Sequence, residues 1–92
     1  MPDRWLPEFG WDERNEEKLL DRHGVTAVEA EECFGNANSR RRVGDVYLML
    51  GITGSGRMLF LVYEQKHRGI VRVFSARDMT DRERRAYRRV AM

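Results

Sequence analysis

Three apolar runs separated by very short connections constrain the fold of this chain more than any other feature of its sequence. The runs cover residues 45–53, 57–64 and 69–76. Gly54-Ser55-Gly56 separates the first two and is a hairpin-turn signal, while the turn Lys66-His67-Arg68-Gly69 leads into the third. A parallel pair of strands needs a crossover of about a dozen residues or more. Because neither connection can hold one, the sequence predicts an antiparallel meander.

Two short helices are predicted before the strands. Asp12 is a suitable N-cap for a helix over 12–22, and Gly24 can end that helix in the left-handed conformation. Thr26 and Glu29 have the spacing of a capping box for a second helix. Together the two helices form a helical hairpin. The side chains expected to face the core are Leu19, Leu20, Val25, Val28, Ala30, Cys33 and Phe34.

A third helix is predicted after the strands. Thr80 caps it, Glu83 completes its capping box, and its expected inner face consists of Ala86, Tyr87 and Val90. The polar segment 36–42 is predicted to be a loop or a frayed strand start. The predicted fold class is therefore α+β, with an N-terminal helical hairpin, an antiparallel sheet of three to four strands and a C-terminal helix. With 92 residues, the chain is expected to form one domain over 1–92.

The charge distribution predicts a polyanionic partner. Residues 1–35 contain ten acidic and four basic side chains, a net charge of −6, whereas residues 36–92 contain thirteen basic and five acidic ones, a net charge of +8. Of the 17 basic residues, 15 are arginines, whose planar fork of donors matches phosphate oxygens. An arginine-rich half is typical of nucleic-acid binding, although it is equally compatible with a solvated surface.

Other features limit the location and chemistry of the protein. No window approaches the roughly 18 uninterrupted apolar residues that a membrane span needs. The single Cys33 cannot form an intramolecular disulfide, and we expect a cytoplasmic protein. No metal site and no cofactor are predicted, because Cys33, His23 and His67 lack ligand spacing.

Arginines around the last strand are the strongest candidates for a functional site. Arg72 interrupts a strand of valine and isoleucine, and Arg77 follows at its exit. Such charges need a partner or a function, and the functional interpretation is a surface that binds phosphate. In the structural alternative, Arg72 pairs with Glu64 or Glu83.

Ribonuclease chemistry explains the neighbouring residue types. A ribose 2′-hydroxyl must be activated, a dianionic phosphorane stabilised and the leaving 5′-oxygen protonated. Arginine suits the second role, and Glu, His or Tyr suits the others. The predicted catalytic residues are Arg72, Arg77, Glu83, Tyr87 and His23, although a helix-capping role is the other interpretation of His23. The residues predicted to bind RNA are Arg40, Arg41, Arg42, Arg57 and Arg84.

Three stretches in register resemble the BrnT-type toxins and together cover most of residues 9–88. They are Trp11-Asp12-x-x-Asn15 with Arg22-His23-Gly24-Val25-Thr26-x-x-Glu29, then Tyr47-x-x-x-Gly51-x-Thr53-x-x-Gly56-Arg57-x-Leu59, and Ile70-x-Arg72-x-x-Ser75-Ala76-Arg77-x-Met79-Thr80-x-x-Glu83-Arg84-x-x-Tyr87. The resemblance implies a RelE-like fold and the toxin of a bacterial type II toxin–antitoxin system. It also implies a metal-independent endoribonuclease that cleaves RNA and inhibits translation. Its expected partners are an RNA substrate and a DNA-binding antitoxin encoded beside it, in a dimer or a heterotetramer with the antitoxin.

Two other classes of function stay open at the level of sequence. The same basic face could belong to a non-catalytic module that binds RNA or a protein. Alternatively, the acidic helical hairpin and the basic sheet could pair with each other in an oligomer of a structural subunit.

Overall fold

The backbone forms three helices and a four-stranded antiparallel sheet, which confirms the predicted α+β class. The computed structural model describes residues 7–37 and 39–91. The elements in chain order are α1 (Glu13–His23), α2 (Ala27–Gly35), β1 (Ser39–Val43), β2 (Val46–Ile52), β3 (Met58–Gln65), a short 3-10 turn (His67–Gly69), β4 (Val71–Asp78) and α3 (Asp81–Ala91). No helix in the described part of the chain is long and apolar enough to cross a membrane.

Local capping sets the bounds of the helical hairpin, as predicted. The Asp12 carboxylate accepts a hydrogen bond from the Asn15 backbone N–H at 2.7 Å and begins α1. Gly24 ends it with a φ of 63°, in the left-handed region that favours glycine. Thr26 and Glu29 cap each other at 3.0 and 3.1 Å and begin α2. These contacts involve residues at most four positions apart, so the sequence alone carries the information.

The strands are ordered β1-β2-β3-β4, and every neighbouring pair is antiparallel. The predicted meander therefore corresponds to three of the four strands, β2, β3 and β4. The segment 36–42 was predicted to be a loop or a frayed strand start, and part of it instead belongs to β1. The register of β1 with β2 runs from Ser39 opposite Leu50 to Val43 opposite Val46. All five residues of β1 are exposed. Its pairing with β2, rather than an apolar face, makes this polar segment a strand.

The core lies between the helical hairpin and one face of the sheet. Leu19 contributes from α1, Cys33 and Phe34 from α2, and Leu61 and Tyr63 from β3, all of them buried. The remaining buried members of this cluster are Val25, Ala30, Met49, Leu59, Val71, Val73 and Ala76.

Three apolar residues that were predicted to face the core do not. Leu20 is 51% exposed, Val28 64% and Val90 59%. Successive residues on a helix are rotated by about 100°, so Leu20 points away when its neighbour Leu19 is buried. In α2 the core positions Ala30, Cys33 and Phe34 likewise leave Val28 on the outer side.

A bulge in β4 changes the alternation of its side chains. Val73 lies opposite Tyr63 and Ser75 opposite Val62, so that Phe74 is an extra residue between two paired positions. Strict alternation would place Ser75 on the core face with Val73. The bulge instead places Ala76 there, fully buried, and leaves Phe74 44% exposed.

Candidate active site

The side of the sheet turned away from α1 and α2 forms a broad, partly apolar surface, which we call the open face. Opposed residues in an antiparallel pair share a face, so the register assigns its members. They include Arg41, Leu48, Leu50, Phe60, Val62, Glu64, Arg72, Ser75 and Arg77. Helix α3 closes one end, where Arg82, Glu83 and Ala86 line a groove of about 460 Å³ with Arg41, Leu48 and Phe60.

Arg77 is held on this face from two sides. Its Nη1 and Nη2 donate to the two carboxylate oxygens of Glu83 at 2.8 and 3.0 Å, and its guanidinium lies 4.3 Å from the centre of the Phe60 ring. Nη1 also donates to the Asp78 carbonyl at 3.1 Å. Of the five guanidinium N–H groups, these bonds use three. The Nε–H and one Nη2–H therefore stay available to a ligand.

Glu83 is a fixed anion beside Arg77. As the predicted capping-box residue of α3, it accepts from the Thr80 N–H at 2.9 Å, and Thr80 Oγ1 accepts from the Glu83 N–H at 3.2 Å. The hydrogen bond from Arg77 holds the pKa of Glu83 below its usual value, and the Thr80 backbone acts in the same direction. The carboxylate is thus ionised at neutral pH and accepts hydrogen bonds only.

Arg72 is a cation of the open face that forms no ion pair with another described residue. Glu64 lies directly opposite it in the register, but the Glu64 carboxylate is 3.1 Å from Lys66 Nζ. Within residues 7–37 and 39–91, Arg72 makes no ion pair, and its Nε is buried without a hydrogen-bond partner. Both acids of the structural alternative, Glu64 and Glu83, are engaged elsewhere. The guanidinium of Arg72 is therefore available to an anion.

Arg72 lies opposite Glu64 and Arg77 opposite Phe60, so the two arginines share the open face at opposite ends of β4. The other two predicted catalytic residues, Tyr87 and His23, make contacts with backbone groups elsewhere in the fold. The hydroxyl of Tyr87 donates to the Asn36 carbonyl at 2.8 Å, which ties α3 to the segment after α2, and burial raises the pKa of Tyr87. His23 ends α1, which packs on the opposite side of the sheet, and its carbonyl accepts from Arg57 Nη2 at 3.3 Å. The roles proposed for these two side chains stay predictions.

The arginines predicted to bind RNA fall into different environments. In β1, Arg41 lies on the open face, whereas Arg40 and Arg42 are on the side of the helices. Arg40 lies near the Tyr63 hydroxyl, and Arg42 Nε donates to the Gly44 carbonyl at 3.0 Å. Arg84 forms an ion pair with Asp81 at 2.7 Å. Only Arg41 of these four thus lines the groove.

Arg57 joins three parts of the fold, a role that the sequence did not indicate. Its guanidinium donates to both oxygens of Asp78 at 2.8 and 3.1 Å and to Glu29 at 3.4 Å. It also donates to the carbonyls of Gly24 at 2.8 Å and His23 at 3.3 Å. The hydrogen bond from Arg57 holds the pKa of Asp78 below its usual value. These contacts connect the helical hairpin to the β2–β3 turn and to the end of β4.

Sequence reasoning missed two contributors to the groove, Phe60 and Arg82. Phe60 supports Arg77 from the neighbouring strand, and no local signal distinguishes it from the other apolar residues of β3. Arg82 is four residues before Ala86, so the helical period could have placed both on one side of α3. Its position opposite Arg41 depends on how α3 packs on the sheet, which a local pattern does not contain.

No cluster of three His, Cys, Asp or Glu side chains suited to hold a metal occurs in the described part of the chain. Cys33 is buried in the core, and burial raises its pKa to about 12, so it stays a thiol.

The sequence was also compared with models of known protein families. The family model described as ribonuclease toxin, BrnT, of type II toxin–antitoxin system matches residues 11–83. The chain belongs to the BrnT toxin family. The matched range contains α1 through β4 and reaches the Arg77–Glu83 pair. No curated protein matches the sequence. For this BrnT-family chain, membership implies a type II toxin with a ribonuclease role, an RNA target and an antitoxin partner.

Proposed function

We propose that this BrnT-family protein is a metal-independent endoribonuclease that cleaves RNA on the open face and thereby inhibits translation. The observation that carries the proposal is the unpaired guanidinium of Arg72, with its buried Nε lacking a partner, on the same face as Arg77. A buried N–H without an acceptor is costly, and because Glu64 opposite Arg72 is paired with Lys66, a phosphate group would supply the acceptor that Arg72 lacks.

The proposed reaction is a transfer within the RNA strand. The ribose 2′-oxygen attacks the adjacent phosphorus and loses its proton to solvent water, a P–O bond forms, and the bond to the 5′-oxygen breaks. The products are a 2′,3′-cyclic phosphate and a 5′-hydroxyl, the latter formed when the leaving oxygen takes up a proton. Negative charge accumulates on the phosphorane in between. Arg72 and Arg77 stabilise that charge, which is the usual role of positioned cationic donors in a transition state.

Glu83 has a positioning role in this scheme. It is ionised and accepts two hydrogen bonds from Arg77, so it holds the guanidinium rather than carrying a proton. The free Nε–H and Nη2–H of Arg77 then present two donors to one phosphate group.

Tyr87 is proposed as the proton donor to the leaving 5′-oxygen. Its raised pKa keeps the hydroxyl protonated at neutral pH, which suits an acid rather than a base. To act, it must exchange its hydrogen bond to the Asn36 carbonyl for one to the substrate. The proposal does not use His23, because α1 packs on the other side of the sheet.

Expression in a bacterium tests the proposal. We expect induction of the wild-type protein to stop growth and reduce bulk translation, and Arg72→Ala to abolish both effects. Arg14→Ala, an exposed arginine of α1, serves as the matched control and should stay toxic. Equal toxicity of Arg72→Ala and the wild type would contradict the proposed site.

A non-catalytic binding module gives a different result. In that case purified wild-type protein and Arg72→Ala would differ in RNA affinity, but neither would shorten the RNA.

A further inference from the structure

Helix α3 exposes four arginines that no acid neutralises. In the described part of the chain, Arg82, Arg85, Arg88 and Arg89 form no ion pair, and all four are exposed. The two acids of the helix are already engaged, because Asp81 pairs with Arg84 and Glu83 with Arg77. The outer side of α3 thus carries a concentrated positive charge.

Three of these side chains lie in a row. With about 100° of rotation per residue, Arg82, Arg85 and Arg89 fall within an arc of roughly 60°. At about 1.5 Å per residue, the row is roughly 10 Å long. We call these three residues the arginine strip. Its first member, Arg82, also lines the groove opposite Arg41. The strip therefore continues the positive charge of the groove along the helix.

The stability of α3 does not explain the strip. Like charges three and four residues apart on a helix repel each other, as Arg82 with Arg85 and Arg85 with Arg89 do. Arg82 is also in the first turn, where the helix dipole disfavours a positive charge. All three side chains point to solvent, so none of them contributes to the core. Arg85 and Arg89 in addition lie outside the matched residues 11–83.

We propose that the arginine strip binds the phosphate backbone of single-stranded RNA, next to the segment that the groove holds. This inference rests on the proposed function, since it assigns a second contact to the same substrate. Arginine presents a planar fork of donors to phosphate oxygens, and a row of them suits a repeating anion. The exposed apolar residue Val90 is rotated by about 80° or more from each member of the strip, whereas the centre of a protein interface is largely apolar. RNA is thus favoured over an acidic protein surface.

Salt-dependent binding tests the strip. The probe is a fluorescent 12-nucleotide 2′-O-methyl oligouridylate, which lacks the attacking hydroxyl, and its affinity is measured by anisotropy between about 50 and 200 mM salt. The double variant Arg85→Gln/Arg89→Gln removes two charges and keeps good helix formers. Each lost phosphate contact on a single strand lowers the log–log slope by about 0.7, so we expect a decrease of about 1.4 and a roughly tenfold loss of affinity at low salt.

Arg14→Gln/Arg22→Gln is the matched control, because it removes the same charge from exposed positions of α1. It should leave the slope unchanged. An unchanged slope in the strip variant, or an equal decrease in the control, would overturn the strip as an RNA contact. Labelled poly-glutamate is the second probe. If it binds as tightly as the RNA and loses affinity equally in the strip variant, the strip is a site for acidic proteins and the RNA assignment fails.

Cleavage of an unmodified RNA separates the strip from the proposed function. If the wild type cleaves and the strip variant keeps the full salt slope, the strip inference fails and the function stands. If the wild type binds with strip-dependent slope and does not cleave, the strip stands and the function fails. A wild type that neither binds nor cleaves overturns both.

Discussion

At the scale of single residues, Gly51 of β2 lies in close contact with α2. A Cβ added there would lie 2.7 Å from the Cys33 carbonyl oxygen and 2.8 Å from Cys33 Cβ. Backbone atoms of a packed helix cannot move aside as the end of a flexible side chain can. Gly51→Ala should therefore lower the free energy of unfolding by about 1–3 kcal/mol, the usual cost of overpacking. Urea denaturation measures the change.

Gly54→Ala is the control for this substitution. Its added Cβ would meet only the carboxylate end of Glu32, at 3.2 Å, a side-chain end that accepts a hydrogen bond from the Gly54 N–H and can give by a few tenths of an ångström. The loss of stability should be clearly smaller than at Gly51. Equal decreases in the free energy of unfolding at both positions would show that the contact with Cys33 does not cause the destabilisation.

The neighbours Leu19 and Leu20 test the packing of α1. Leu19 is 2% exposed and Leu20 is 51% exposed. Leu19→Ala should cost about 2–5 kcal/mol, the range for a buried leucine that leaves a cavity. Leu20→Ala should stay within about 0.5 kcal/mol of the wild type, as surface substitutions usually do. Thermal unfolding of the two variants compares them directly, and a reversed order would show that α1 packs through another face.

At the scale of elements, ion pairs join the end of β4 to its neighbours and make stability depend on pH. Hydrogen bonds from Arg57 and Arg77 hold the pKa values of Asp78 and Glu83 below 3.8 and 4.5, respectively. A carboxyl group whose pKa is lower in the folded state stabilises the protein above its unfolded pKa. That stabilisation disappears as the pH falls through the folded pKa. The urea midpoint should therefore fall from about pH 5 downwards.

Arg57→Gln tests the contribution of the two acids paired with Arg57, Asp78 and Glu29, to this acid sensitivity. Without the guanidinium, the pKa of Asp78 returns towards its ordinary value, so that protonation no longer differs between the folded and unfolded states. The variant should be less stable at neutral pH and show a shallower loss between about pH 5 and 3. If the stability of the variant fell as steeply with pH as that of the wild type, other carboxyl groups would determine the acid sensitivity.

The elements that sequence reasoning predicted are those defined by local contacts. Asp12, Gly24 and the Thr26–Glu29 box fix the helical hairpin within a few residues of themselves. The hairpin turn at 54–56 does the same for β2 and β3. By contrast, β1 and the bulge at Phe74 depend on pairing with residues distant in the chain. No local pattern contains those partners, so the segment of β1 was predicted only as a loop or a frayed strand start, and the bulge was not predicted.

The same distinction applies to the site. Arg72 was predicted because a charge in an apolar strand is anomalous by itself, and the Thr80–Glu83 capping box because it is local. The Arg77–Glu83 pair was not predicted as such, and neither was the engagement of Arg57 with Asp78, since both depend on how elements pack. Charged residues with similar local sequence thus have different environments in the fold.

At the scale of the whole molecule, the charge asymmetry separates two surfaces. Two carboxylates of the acidic hairpin are engaged within the fold, as Glu31 accepts from Trp11 Nε1 at 2.7 Å and Glu32 from the Gly54 N–H at 3.0 Å. The open face instead exposes arginines. We therefore expect the antitoxin to cover the open face with acidic side chains, burying on the order of 800 Å² per partner.

Charge reversal tests this prediction. Arg41→Glu places an acid on the exposed edge of the open face and should weaken antitoxin binding by several kcal/mol, because like charges then meet. Glu17→Lys makes the opposite change on the exposed side of α1 and should do little. Calorimetric titration gives both affinities. Loss of binding in Glu17→Lys alone would place the antitoxin on the helical hairpin.

The most direct test of the central claim is cleavage of a single-stranded RNA by the purified protein with EDTA present. We expect products that end in 2′,3′-cyclic phosphate and 5′-hydroxyl groups. Arg72→Ala should slow the reaction by roughly 10²–10³-fold, the usual effect of removing one transition-state donor, while Arg14→Ala should leave the rate unchanged. No cleavage by the wild type, or an equal rate with Arg72→Ala, would contradict the central claim.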